Sequence, residues 1–117
     1  MIKVKRIYEI PSEDDGFRIL VDRLWPRGLS KDKAKIDLWM KEVSPSDELR
    51  KWFHQEVREW NEFKNLYFRE LSEKEELVRF IANKGKTGPV TLLFGAKNNE
   101  FNNAVALYEY VKTVTKR

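Results

Sequence analysis

The chain has 117 residues, 41% of them hydrophobic and 36% charged, with a net charge of +4 from 23 basic and 19 acidic side chains. This length, with seven Phe, four Tyr and four Trp, describes one folded domain over 1–117 and excludes a disordered tail. There is no cysteine and one histidine, His54, which excludes disulfides, thiol catalysis and thiolate or multi-histidine metal sites.

The N-terminal residues Met1 to Arg6 alternate like a strand and lack the apolar core of a signal peptide. No apolar run approaches the ~20 residues that span a bilayer, so the expectation is a cytoplasmic protein without a membrane partner. Residues 2–10 place Ile2, Val4, Tyr8 and Ile10 on one face, the period-two pattern of a half-exposed strand. Turn residues from Pro11 to Gly16 lead into a second strand over 17–24, and the two are expected to pair antiparallel at one edge of a sheet. Residues 29–35 predict a short helical turn capped by Ser30, and 36–43 a third strand.

Ser44, with Pro45 after it and Asp47 three residues on, predicts a helix start, and Leu49, Trp52 and Phe53 share a face behind it. Val57, Trp60, Phe63, Tyr67 and Leu71 predict a longer helix from about Glu56 to Leu71. Ser72 with Glu75 fits a capping box opening a third helix, which Gly85 and Gly88-Pro89 end. The apolar run from Val90 to Phe94 predicts a strand buried on both faces. A last helix, over about 100–114, is expected to bury Phe101, Ala104, Leu107, Tyr108 and Val111, with Lys112, Lys116 and Arg117 suiting its carboxyl end. The order of elements predicts an α/β layered sandwich: a small mixed, largely parallel sheet of about four strands with helices packed on it. The second and fourth strands should be parallel neighbours, which would bring 23–28 and 95–99 together at the carboxyl edge of the sheet, where open α/β sheets hold ligands.

Candidate site residues concentrate on that edge. Arg23 and Arg27 flank Trp25 and Pro26 on a turn ending in Gly28, and two guanidiniums so spaced suit a carboxylate or phosphate. Arg23 could equally ion-pair with Asp22 or Glu42, and Trp25 could plug the end of the sheet. Gly95, Ala96 and Lys97, with Asn98 and Asn99, precede a helix start whose free N–H groups would add to an anion site. Asn102 and Asn103 serve either as caps and loop tethers or as hydrogen-bond partners of a ligand. Glu42 is the acid in these segments suited to act as a general base, whereas Ser46 lacks a placed histidine to activate it. The tryptophans read as core or as a base-stacking surface, and Lys31, Lys33 and Lys35 as a solvated loop. No motif indicates a metal or identifies a cofactor.

Four segments carry a family resemblance: Val21 to Gly28, Trp39 to Ser46, Glu48 to Phe53, and Thr91 to Lys97 with Asn102-Asn103-Ala104. With them the chain resembles the short stand-alone form of the domain-of-unknown-function 488 (YeaO-like) family. That resemblance implies an α/β domain and no assigned activity. Similar sequences carry a histidine where this chain has Phe101, and a His-Asp pair where it reads His54-Gln55; longer relatives carry a cysteine near the loop matching 95–103. Two uses remain open. One is binding of a small phosphate or carboxylate, as a hydrolase, a transferase or neither; the other is a non-catalytic module for nucleic acid or a protein partner.

Overall fold

A computed structural model describes residues 1–55 and 59–115. Glu56 and Val57 of the expected second helix, and Lys116 and Arg117, lie outside the described residues. Four strands, β1 (Ile2–Arg6), β2 (Phe17–Leu20), β3 (Leu38–Trp39) and β4 (Val90–Phe94), form one sheet in the order β1-β4-β2-β3. Five helices complete the α/β domain: α1 (Lys31–Ala34), α2 (Asp47–Gln55), α3 (Trp60–Leu71), α4 (Glu75–Thr87) and α5 (Asn103–Thr115).

Every pairing is parallel, so the antiparallel contact expected between the first two strands is not made. Instead β4 lies between them, with Val90 opposite Ile2 on one side and Phe17 on the other. All five residues of β4 are buried, and a strand of that composition belongs in the centre, covered on both faces. Alternation in β1 tells which side chains share a face; it carries no information about the neighbouring strand.

Period-two alternation divides the sheet into two unequal layers. Ile19 and Val21 from the β2 side, with Val90, Leu92 and Phe94 from β4, meet the apolar faces of α2 to α5 in the main core. Leu20 and Leu93 point the other way, into a thinner layer of Ile7, Ala34, Trp25 and Trp39. The first strand is shorter than its pattern suggests: after Ile7 donates to Phe94 O (2.7 Å) the chain turns, leaving Tyr8 and Ile10 exposed. β2 likewise stops at Leu20, and the third strand is two residues long before a 3-10 turn over Lys41–Val43.

Three helix ends differ from expectation for identifiable reasons. Ser44 does not cap α2, because its hydroxyl donates to Lys41 O (2.6 Å); Ser46 takes that place, its Oγ accepting from Leu49 N (3.2 Å). Ser72 has helical backbone angles (φ −63°, ψ −19°) and closes α3, so the capping box with Glu75 does not form. Gly85 lies within α4 rather than ending it, where its missing side chain admits Ile2. Ser30 caps α1 as expected, accepting from Lys33 N (3.2 Å). Among the described residues, no helix is long and apolar enough to cross a membrane.

Candidate functional site

A cleft of about 480 Å³ opens at the carboxyl ends of β2 and β4. Its geometry starts from Asp22, two residues beyond β2. Asp22 Oδ2 accepts from Gly95 N (2.8 Å) and Oδ1 from Asn103 Nδ2 (3.0 Å), while its carbonyl accepts from Trp39 Nε1 (2.8 Å). One carboxylate thus joins the ends of both central strands to the start of α5.

Arg23 follows and reaches across the cleft. Its Nε and Nη2 each lie 3.4 Å from Pro45 O, and Nε lies 3.6 Å from Asp47 Oδ1. The wall it meets is clamped from behind by α3 and by Lys74, which precedes α4. Tyr67 Oη donates to Val43 O (2.6 Å), Lys74 Nζ to Glu42 O (2.6 Å), and Ser46 N and Oγ donate to the Glu70 carboxylate (2.8 and 2.7 Å). Burial, and after it the carboxylates of Glu70 and Asp22, push the Tyr67 phenol well above its usual range, so it remains a neutral donor. Burial, followed by the Arg23 guanidinium and against the pull of Glu70 and Glu42, lowers the Lys74 ammonium from its ordinary value.

Arg50 on α2 is the second guanidinium of the cleft. Its Nη2 lies 3.4 Å from the same Asp47 oxygen, and its Nε is buried without a hydrogen-bond partner among the described residues. A buried donor left without an acceptor is costly, more so on a charged group. Lys97 supplies a third, exposed cation from the loop after β4. The floor is aromatic: Phe53 stacks on Phe63 with ring centroids 4.1 Å apart, and Trp60 connects Phe63 to Phe101.

The loop before α5 spends part of its backbone donors within the fold. Four of them are held by side chains: Gly95 N by Asp22, Glu100 N and Phe101 N by Asn98 Oδ1 (2.9 and 3.0 Å), and Val105 N by Asn102 Oδ1 (2.9 Å). Asn102 is therefore a cap and Asn103 a tether, the latter also donating to Val21 O (3.1 Å). Phe101 precedes the helix and is 38% exposed, rather than buried within it.

Of the residues expected at this edge, Arg23, Ala96, Lys97, Asn102 and Asn103 line the cleft, and Gly95 lies beside it through its bond to Asp22. Trp25, Arg27, Gly28 and Glu42 are not in the lining. Trp25 turns to the opposite face of the sheet, edge-on to Trp39 at 5.4 Å, with Nε1 donating to Leu29 O (2.6 Å). Arg27 is exposed, and its carbonyl accepts from Tyr8 Oη (2.8 Å), so the fork expected from Arg23 and Arg27 is not assembled. Glu42 is exposed, with its carbonyl held by Lys74. The partner of Arg23 across the cleft is Arg50, which the sequence reading passed over. Its spacing of three from Phe53 puts both on one helical face, the signal that could have found it. Among the described residues, no group of three or more His, Asp or Glu is placed to hold a metal ion.

The family model described as the inactive DUF488-N3 subclade matches residues 1–117. The uncharacterised protein YeaO of Escherichia coli K12 is 43% identical over 113 residues, covering 97% of this chain and 98% of that one. The uncharacterised protein Rv3073c of Mycobacterium tuberculosis H37Rv is 40% identical over 92 residues, 77% of this chain and 78% of that one. No solved structure matches the chain. The chain is a YeaO-like member of the DUF488 family and belongs to the branch described as its inactive N3 subclade.

Proposed function

We propose that this domain binds a small anionic ligand, a phosphate or a carboxylate, in the cleft at the carboxyl edge of the sheet, and does not turn it over. The observation that carries the reading is the buried Nε of Arg50, without a hydrogen-bond partner among the described residues, beside a second guanidinium and above an apolar floor. Small-molecule sites have this composition: mostly apolar walls with a few directed polar groups.

The chemistry of the lining favours binding over catalysis. Its hydroxyl, Ser44 Oγ, already donates to Lys41 O, and its carboxylate, Asp22, accepts from Gly95 N and Asn103 Nδ2. Among the described residues, neither is arranged as a nucleophile with a base beside it, in keeping with the family branch's description as inactive. The nucleic-acid alternative is weakened by the tryptophans, since Trp25, Trp39 and Trp60 each pack against another ring.

Thermal unfolding with and without phosphate, acetate and larger carboxylic acids tests the reading, on the wild type and on an Arg23→Ala/Arg50→Gln variant. A ligand at ~100 times its dissociation constant stabilises the fold by about 2.7 kcal/mol, a shift of several degrees. The expected result is a shift in the wild type that disappears in the folded variant. Equal shifts in both proteins, or none with any anion, would overturn it.

A further inference from the structure

We infer that the ligand is an amphipathic monocarboxylate, with its carboxylate between Arg50 and Arg23 and an aromatic or branched apolar body on Phe53, Phe63 and Phe101. The inference rests on the anion-binding reading above and narrows it to one chemical class.

Three observations point this way. The first concerns donors. A phosphate is ordinarily cradled by several free backbone N–H groups, and here Asp22, Asn98 and Asn102 hold four of those on the loop and the helix start, at Gly95, Glu100, Phe101 and Val105. Guanidinium faces the cleft as well, with one buried Nε lacking an acceptor among the described residues, and a planar carboxylate is a natural partner of such a group.

The second is charge. Arg23, Arg50 and Lys97 stand against Asp22 in the lining and Asp47 on the arginines. Among the described residues the lining carries three cations and one carboxylate, a balance that favours an added negative charge.

The third is the floor. Phe53 and Phe63 form its buried part, while Phe101 and Leu24 at the rim are 38% and 61% exposed. Apolar side chains so placed can close over a ligand's body. A volume of about 480 Å³ lies within the range of small-molecule sites.

Calorimetric titration of the full chain with 3-phenylpropionate, 3-phenylpropan-1-ol, propionate and inorganic phosphate separates these contributions. 3-Phenylpropionate is expected to bind best. The alcohol should bind about tenfold or more weakly, having lost a charge-assisted hydrogen bond. Propionate should lose a similar factor with its ring. Arg50→Gln should weaken 3-phenylpropionate at least about tenfold, and Arg50→Lys, which keeps the charge and lacks the Nε donor, should fall between. Phe101→Ala should weaken 3-phenylpropionate and leave propionate unchanged. Phosphate binding more tightly than 3-phenylpropionate, with dependence on Arg50, would overturn the monocarboxylate class and leave the anion site standing. An alcohol that binds as tightly as the acid, or no binding by any anion, would overturn both.

Discussion

At the amino end of the sheet, Lys3, Lys5 and Arg18 converge on the buried Asp15; at the carboxyl end, Arg23 and Arg50 share the exposed Asp47. The first cluster is closed. Asp15 Oδ2 lies 2.5 Å from Arg18 Nη1 and 3.0 Å from Ser12 N, and the remaining guanidinium donors reach Lys35 O (2.9 Å) and Ala34 O (2.8 Å). Burial alone would raise the Asp15 carboxyl. The hydrogen bonds from Ser12 and the three cations outweigh it and hold the group well below the ordinary carboxylate range. The second cluster is open: its contacts run to 3.4–3.6 Å, and one buried nitrogen has no partner among the described residues. The role of a cation in this fold follows from how many acceptors it has, rather than from where it falls in the chain.

That contrast can be broken at the closed end first. Asp15→Asn leaves three cations around a neutral amide and should cost about 3–5 kcal/mol in urea unfolding at neutral pH. The pH dependence has a definite sign. Asp15 has a depressed folded value, so its stabilisation is present above the unfolded carboxylate range, near 3.9, and is lost as pH falls below it. The wild type should therefore lose stability progressively below about pH 4, and the variant should show a shallower acid limb. An intermediate effect is expected at Gly16, which turns the chain into β2 with φ +63° and would bring a Cβ within 2.2 Å of Pro89 O. Gly16→Ala should cost about 1–3 kcal/mol by the same measurement.

At the open end the expected losses shrink. Ser46→Ala removes the cap of α2 and one bond to Glu70, at about 1 kcal/mol in thermal unfolding. Arg50→Gln should change stability by no more than about 0.5 kcal/mol, because its guanidinium closes no network comparable to that of Arg18. An Arg50 variant as unstable as Asp15→Asn would erase the distinction between the two ends.

Much of the fold is legible in the sequence because its strongest pattern is also its centre. The run from Val90 to Phe94 identifies the strand buried on both faces, and the parallel contact of β2 with β4 follows from the order of elements. Local chemistry reads well where one residue decides it, as at Ser30. It fails where two compete: Ser44 and Ser46 both precede α2, and Tyr67 and Glu70, more than twenty positions away, help fix which one caps it. The partner of β1 is hidden for the same reason, since Ile2 meets Val90 and no local signal spans that distance. At the site, Arg23, Lys97 and the asparagines stand out by composition. Arg50 does not, because an arginine in a charged amphipathic helix looks like solvated surface until α2 is seen to turn it into the cleft.

The difference between the two ends is tested most directly by the Nε–H resonances of Arg18 and Arg50 during titration with 3-phenylpropionate, followed by nitrogen-15 NMR. The Arg50 signal should move and saturate with the ligand, while that of Arg18, already bonded to Lys35 O, stays in place. An unmoved Arg50 signal, or equal movement of both, would contradict the assignment of one cluster to stability and the other to a ligand.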